Sequence, residues 1–403
     1  MKNFNLNVKK SSNVLCFVVE GRIDSSNATD FSNAISSKLA NNSRSDVVFD
    51  CQKLSYISSA GLRVLLSLKK KLKSNIKLIN VSPEVYGIFE VTGFLQIFGI
   101  TKMVTKGIKD ISELEGQLIG ETGNMSVYRI DNDTILKLYP KGTDFSTVER
   151  ELNFIKTAFL SGIPTLISYS AVTYKGDYGI LYEMPNVVTV SSEISKLELL
   201  NTKLLNRAYE MGKTLKLIHS CEPEDDTLPE TSKIFGEYVL KMKPYLHNDE
   251  IEKLKRALNV IPKAKTVVYG NYHSGNVFVE NDELILINMS EISRGNPIFD
   301  LGRTYMIYVS EAKWLSKILT NLEPNEAKKF WDNMIRGYFN ADINKLIQYD
   351  EDIIKAAAML FSVLLPAINK ISSEYTERLI ANARRDFFPS IDTIINLLAQ
   401  ARF

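Results

Sequence analysis

The sequence predicts two folded parts in series. The first is an α/β domain with helices on one mixed sheet. The second is a two-lobed α+β domain with a helical C-terminal extension. Three observations carry this. Over residues 1–100, short apolar runs alternate with segments of helical spacing, the pattern of helices packed on a sheet. Over 114–190, strand-type runs surround one amphipathic helix. From 191 to 403, helical spacing dominates, interrupted by two short strands within 267–302.

In the first part, VLCFVVEGRID (14–24) begins as a strand-type run that stops at Gly21. Ala28–Leu39 places Phe31, Ile35 and Leu39 at i, i+4 and i+8, which predicts a helix. SDVVFDC (45–51) reads as a buried strand. Leu62–Leu72 predicts a second helix, Ile76–Val81 a strand, and Pro83–Phe89 a third helical segment. The basic run Lys69–Lys73 reads as a solvated helix end, where the dipole favours cations.

Bulk properties exclude several classes. A chain of 403 residues allows two or three domains, and 45% hydrophobic with 24% charged residues is the composition of a folded protein. Forty-nine basic residues against 47 acidic ones give a formal net charge of +2. That balance supplies no global drive toward nucleic acid or an anionic membrane. MKNFNLNVKK has no apolar core of a signal peptide. The longest apolar run, 356–368, contains Pro366 and is short for a bilayer. Cys16, Cys51 and Cys221 sit at no metal or disulfide spacing. A cytoplasmic protein with reduced thiols is expected.

The stretch YISSAGLRVLL (56–66) puts two serines and a glycine where a strand turns into a helix. Serine caps helix N-termini by accepting backbone N–H bonds. The same position suits a phosphate, because free N–H groups and the helix dipole favour negative charge. GRID, VVFDCQKLSYISSAGLRVLL and SPEVYGIFEVTGF together resemble the STAS domain of anti-sigma-factor antagonists. The resemblance spans residues 10–100 and assigns 1–104 to this domain, with 105–113 as a linker. It implies a bacterial signalling module that docks an anti-sigma factor or a serine kinase, switched by phosphorylation at Ser59. Ser58 stands where many family members have Asp. A phosphate would add about −1.5 to −2 charges at this helix tip.

In the second part, LEGQLIGETGNMSVYRI (114–130) reads as strand, Gly-bearing turn, strand. DTILKLYP (133–140) is a strand holding Lys137. FSTVERELNFIKTAFLSGIPT (145–165) is a helix carrying Glu149 and Glu151 and stopping at Gly162. YGILYEMPN (178–186) is a strand running into a loop. Helical patterns follow at Leu197–His219, Lys233–Tyr245 and Asp249–Leu258. Then VVYGNYHSGNVFVENDELILINMSEISRGNPIFDLG (267–302) supplies two short strands about a turn at Asn281-Asp282. Residues 303–403 read as helical.

This order of Gly turn, strand Lys, helix Glu, hinge, helical lobe and H-x-x-N loop is protein-kinase-like. It resembles aminoglycoside phosphotransferases and choline-kinase-like enzymes over about residues 112–345. The resemblance implies an N-lobe at 114–190 and a C-lobe with C-terminal helices at 191–403. It implies ATP or another nucleotide as ligand, with Gly120 and Gly123 in the phosphate-covering loop. Lys137 would meet the phosphates, Glu151 would orient it, with Glu149 as the alternative, and Glu183 and Met184 would lie at the hinge. His273 matches the loop histidine, Asn276 a metal-binding asparagine, and Asp300 a structural aspartate.

Two matches fail. Asn271 stands at the catalytic-base position, in Y-G-N-Y-H-S-G-N where the family reads H-G-D-x-H-x-x-N. Asn288 stands where the family has its magnesium-holding aspartate. An amide accepts no proton near neutral pH, and loss of a general base costs roughly 10²–10⁴-fold. Magnesium prefers carboxylates together with substrate phosphates. The expectation is a pseudokinase-like domain that binds nucleotide with magnesium weak or absent. Glu291, three residues on, is not expected to compensate, because a different backbone position would have to deliver its oxygen to the same place. An active ATP-dependent phosphotransferase on a small hydroxyl compound is the alternative.

Overall fold

The computed structural model describes residues 4–11, 14–39, 46–72, 76–98, 100, 108–122, 125–131, 134–184, 188–196, 201–223, 227–280, 283–309, 313–340, 348–369 and 371–403. Gly123, Asn124 and the Asn281-Asp282 turn lie outside them. The chain divides into two compact units: Met1–Asn186 with Glu280–Glu283, and Val187–Val279 with Leu284–Phe403.

Unit 1 begins with an α/β half. Its strands β1 (Phe4–Ser11), β2 (Val14–Ile23), β3 (Asp46–Ile57) and β4 (Ile76–Ile79) form one sheet in the order β1-β2-β3-β4. β1 is antiparallel to β2, while β2, β3 and β4 are parallel, so the sheet is mixed. Helices α1 (Ala28–Leu39), α2 (Ser59–Lys71), α3 (Pro83–Val91) and α4 (Phe94–Phe98) complete this half. Phe17, Phe31, Phe49, Leu62, Leu65, Val85 and Phe89 are buried together in its core. The edge strand β1 is an addition to the sequence reading, and β3 runs on past Cys51 to Ile57. Phe4 explains the first point: it is buried edge-on against Phe31, with ring centroids 5.8 Å apart.

The second half of unit 1 is a six-stranded sheet with one long helix. It comprises β5 (Lys109–Asp110), β6 (Gln117–Thr122), β7 (Met125–Arg129), β8 (Thr134–Leu138), α5 (Phe145–Leu160), β9 (Ser168–Tyr174) and β10 (Asp177–Glu183). The strand order is β5-β9-β10-β8-β7-β6. β5 lies in the segment expected to be a linker, and it pairs in parallel with β9. The two halves share a core: Phe159 of α5 and Ile167 belong to the same buried cluster as Phe89 and Phe94. The Phe94 and Phe159 rings lie 5.7 Å apart.

Unit 2 is mostly helical. It contains β11 (Val188–Thr189), α6 (Val190–Ser195), α7 (Thr202–His219), α8 (Thr231–Lys241), α9 (Asn248–Asn259), β12 (Val267–Val268), β13 (Val277–Glu280), β14 (Glu283–Leu286) and β15 (Ser293–Arg294). Then come α10 (Ile298–Val309), α11 (Lys313–Thr320), α12 (Pro324–Phe339), α13 (Gln348–Ile368), α14 (Ser373–Asn382) and α15 (Ile391–Leu398). α10 is the central helix, buried from Ile298 to Tyr308. Phe299 stacks on Phe361 of α13 at 5.7 Å, and Tyr308 stacks on Phe330 of α12 at 5.4 Å. These contacts hold α10 at both ends, and its start matters for the site below. Among the described residues, no helix is long and apolar enough to cross a membrane.

Candidate functional site

Three groups of residues carry the chemistry expected from the sequence. The first is the start of α2. Ser58 is the N-cap, with its Oγ accepting from Gly61 N–H at 3.5 Å and its own N–H donating to Ile23 O at 2.9 Å. Gly61 is required by close approach: a Cβ there would stand 2.7 Å from both Ile23 and Ile57 side chains. Ser59 is the first residue of α2 and is 2% exposed. Its backbone N–H belongs to the set that a helix leaves without an internal acceptor. It donates to Glu183 Oε2 at 3.1 Å.

The second group lies on the six-stranded sheet and α5. Lys137 Nζ is 2.6 Å from Glu151 Oε1, and both side chains are nearly buried. Tyr139 OH donates to Glu151 Oε2, and Tyr182 OH to Glu151 Oε1 at 3.1 Å. Burial and then the Glu151 charge push both phenols above their ordinary range, so they remain donors. Glu149 is exposed, one position out of phase with the buried Val148, Glu151 and Ile155 stripe. Helical phase thus puts Glu151, and not Glu149, beside Lys137. Gly120 is exposed on β6, and a Cβ there would meet nothing within 4 Å. Glu183 ends β10 with Met184 after it; the Glu183 side chain is buried and spends its other oxygen on Ile167 N–H at 2.9 Å.

The third group is the loop 269–276 with Asn288, all in unit 2. Asn276 Nδ2 donates to Asn271 O at 3.0 Å and lies 3.1 Å from His273 Nε2. Asn276 Oδ1 is then the acceptor, and Asn288 Nδ2 donates to it at 2.8 Å. Asn288 has φ of 62°, a left-handed conformation that asparagine tolerates better than most residues. His273 is 5% exposed, and its Nδ1 accepts from Gly275 N–H at 3.2 Å. Burial, assisted by the nearby Arg303 charge, lowers its pKa to about 4, so the ring is neutral at pH 7.

Asp300 holds this loop from below. It is fully buried and accepts from Tyr269 N–H at 2.6 Å, Gly270 N–H at 2.7 Å and His219 Nε2 at 3.0 Å. His219 Nδ1 in turn lies 2.8 Å from Tyr338 OH. Gly270 has φ of 91°, and a Cβ there would meet Glu291 O at 2.5 Å, so only glycine fits. Glu291 does not reach toward Asn288's partner; its carboxylate pairs with Arg303, which also donates to Gly270 O. His219, Arg303, Tyr139, Tyr182 and Tyr338 were not singled out from the sequence. Their signal is weak, because polar residues inside helical or strand patterns read as solvated positions.

The family model described as STAS domain matches residues 5–107, and that described as phosphotransferase enzyme family matches residues 117–328. The putative anti-sigma factor antagonist BtrV of Bordetella bronchiseptica is 35% identical over 98 residues, 24% of this chain and 84% of that protein. A choline/ethanolamine kinase family protein from Mesorhizobium loti superposes with a TM-score of 0.46 at 12% identity, over 78% of this chain and 98% of that one. The streptomycin–ATP–APH(2")-IIa ternary complex superposes with a TM-score of 0.45 at 11% identity, over 68% and 92% of the two chains.

Proposed function

From the premise that the chain belongs to the phosphotransferase enzyme family and carries a STAS domain ahead of that region, we propose that it is a regulatory protein rather than a turnover enzyme. In this reading the STAS domain docks an anti-sigma factor or a serine kinase. Ser59 is its switch, modified when such a kinase transfers the γ-phosphoryl group of ATP to the Ser59 hydroxyl. The kinase-like region holds a nucleotide without transferring its phosphate.

The observation that carries this is the hydrogen bond from Asn288 Nδ2 to Asn276 Oδ1. In the family pattern these two positions ligate magnesium. Here one amide donates directly into the other, so the pair is satisfied without a cation. A carboxylate at 288 would instead face an acceptor with no proton between them, a pairing only a cation relieves. The residues present therefore do not fit a tightly held magnesium ion. Asn271 removes the base as well, and Glu291 is engaged by Arg303. Lys137 and Glu151 keep their pair, which supports nucleotide binding. That intact pair is also what favours the second reading, an active ATP-dependent phosphotransferase on an aminoglycoside, amino alcohol or sugar.

Calorimetry with ATP, titrated with and without magnesium, tests the proposal. Weak binding that is unchanged by magnesium is expected. Binding that tightens strongly when magnesium is added would overturn it.

A further inference from the structure

We infer that the nucleotide-binding half of unit 1 is an internal partner of the STAS domain, with Glu183 as the clasp that covers Ser59. This rests on the reading of Ser59 as the switch. Ser59 is 2% and Ser58 6% exposed, so the hydroxyl that a serine kinase would modify is out of reach. The backbone N–H of Ser59 is held by chain from the other half. Glu183 Oε2 takes the Ser59 N–H at 3.1 Å, and Glu183 Oε1 takes Ile167 N–H at 2.9 Å.

The chemistry of the clasp is that of an anion at a helix start. The free N–H of α2 and the helix dipole attract negative charge. Glu183 supplies that charge from strand β10, in the place an added phosphate would claim. Neighbouring contacts join the same two halves. Tyr56 OH lies 3.1 Å from Tyr169 OH, Arg63 Nη1 donates to Thr165 O at 3.5 Å, and Phe94 packs on Phe159. A phosphate on Ser59 would bring like charge against a buried carboxylate, where burial weakens solvent screening. The covered form and the phosphorylated form therefore exclude each other. A partner that reads the α2 face gains access only when this half lets go.

Hydrogen exchange on the full chain tests this, comparing wild type, Ser59→Asp, Glu183→Gln and the double variant. Ser59→Asp sets a carboxylate against Glu183, and exchange should rise about tenfold or more in both 58–62 and 165–169, as for loss of a charge-assisted bond. Glu183→Gln keeps one acceptor oxygen for two N–H groups, so it should lose protection at only one of the two segments. The double variant removes the repulsion, so its exchange should fall back from that of Ser59→Asp toward that of Glu183→Gln. Wild-type protection in Ser59→Asp, or no recovery in the double variant, would overturn the inference. Should Ser59→Asp also lose protection in β2 and β3, Glu183→Ala gives the answer, since it leaves the STAS sequence intact. It should expose 58–62, and unchanged exchange there would overturn the inference. Phosphotransfer does not enter this readout, so an active enzyme would defeat the proposed function and leave the clasp standing.

Discussion

Asn288 donates its side-chain amide to the side-chain carbonyl of Asn276 across 2.8 Å. The direction of this bond is set by the rest of the loop, because Asn276 Nδ2 is already committed to Asn271 O. An aspartate could not make it. Asn288→Asp should therefore lower stability in metal-free buffer by about 1–3 kcal/mol, the cost of an unmatched polar group. Millimolar magnesium should restore stability to the variant and leave wild type unmoved. Thermal denaturation of both proteins with and without magnesium reads this directly.

Lys137 and Glu151 form a pair that two tyrosines complete. Removing the cation leaves Glu151 buried beside two phenols. Lys137→Met should destabilise the chain by about 3 kcal/mol, as for other broken buried pairs. Lys137→Met with Glu151→Leu should recover much of that loss, because apolar replacements of a whole buried pair are close to neutral. Urea denaturation of the single and double variants measures the difference.

His273 predicts a pH dependence with a definite sign. Its folded pKa is lowered to about 4 from an ordinary value of 6.5. Between those values the unfolded chain binds a proton that the folded chain does not, so stability rises with pH. The contribution is present in full above about pH 6.5 and is lost as pH falls toward 4, amounting to roughly 3 kcal/mol. Urea midpoints from pH 7 to pH 4.5 should fall in wild type, and the fall should be shallower in His273→Gln.

Asp300 is a positioning residue for the loop. It accepts from two backbone N–H groups and from His219 with no exposure to solvent. Asp300→Ala strands all three donors and should cost at least about 3 kcal/mol. Asp300→Asn keeps one acceptor oxygen and should cost less. Chemical denaturation of the two variants distinguishes anchoring from simple burial of a charge.

The loop was legible in the sequence because its contacts are local. Asn271, His273 and Asn276 lie within one turn of chain, and the structure bonds them to one another as that spacing allows. Glu151 was legible up to an alternative, which the phase of α5 settles. β1 is not evident from the sequence although Phe4, Leu6 and Val8 alternate, because asparagines and lysines fill the rest of FNLNVKKS at a sheet edge. From the sequence, Glu183 matters only for its backbone position. Its side chain reaches Ser59, 124 residues earlier in the chain. No periodicity or motif encodes a contact of that range, and a lone glutamate at a strand end reads as solvated. His219 was invisible for the same reason, since its partners Asp300 and Tyr338 come from α10 and α12.

We propose that the amides at 271 and 288 leave the kinase-like region unable to transfer phosphate. The most direct test is the rate of γ-phosphoryl transfer from ATP with magnesium, over a panel of aminoglycosides, amino alcohols and sugars. Wild type should give no more product than Lys137→Ala. Product formation by wild type that Lys137→Ala abolishes would contradict it.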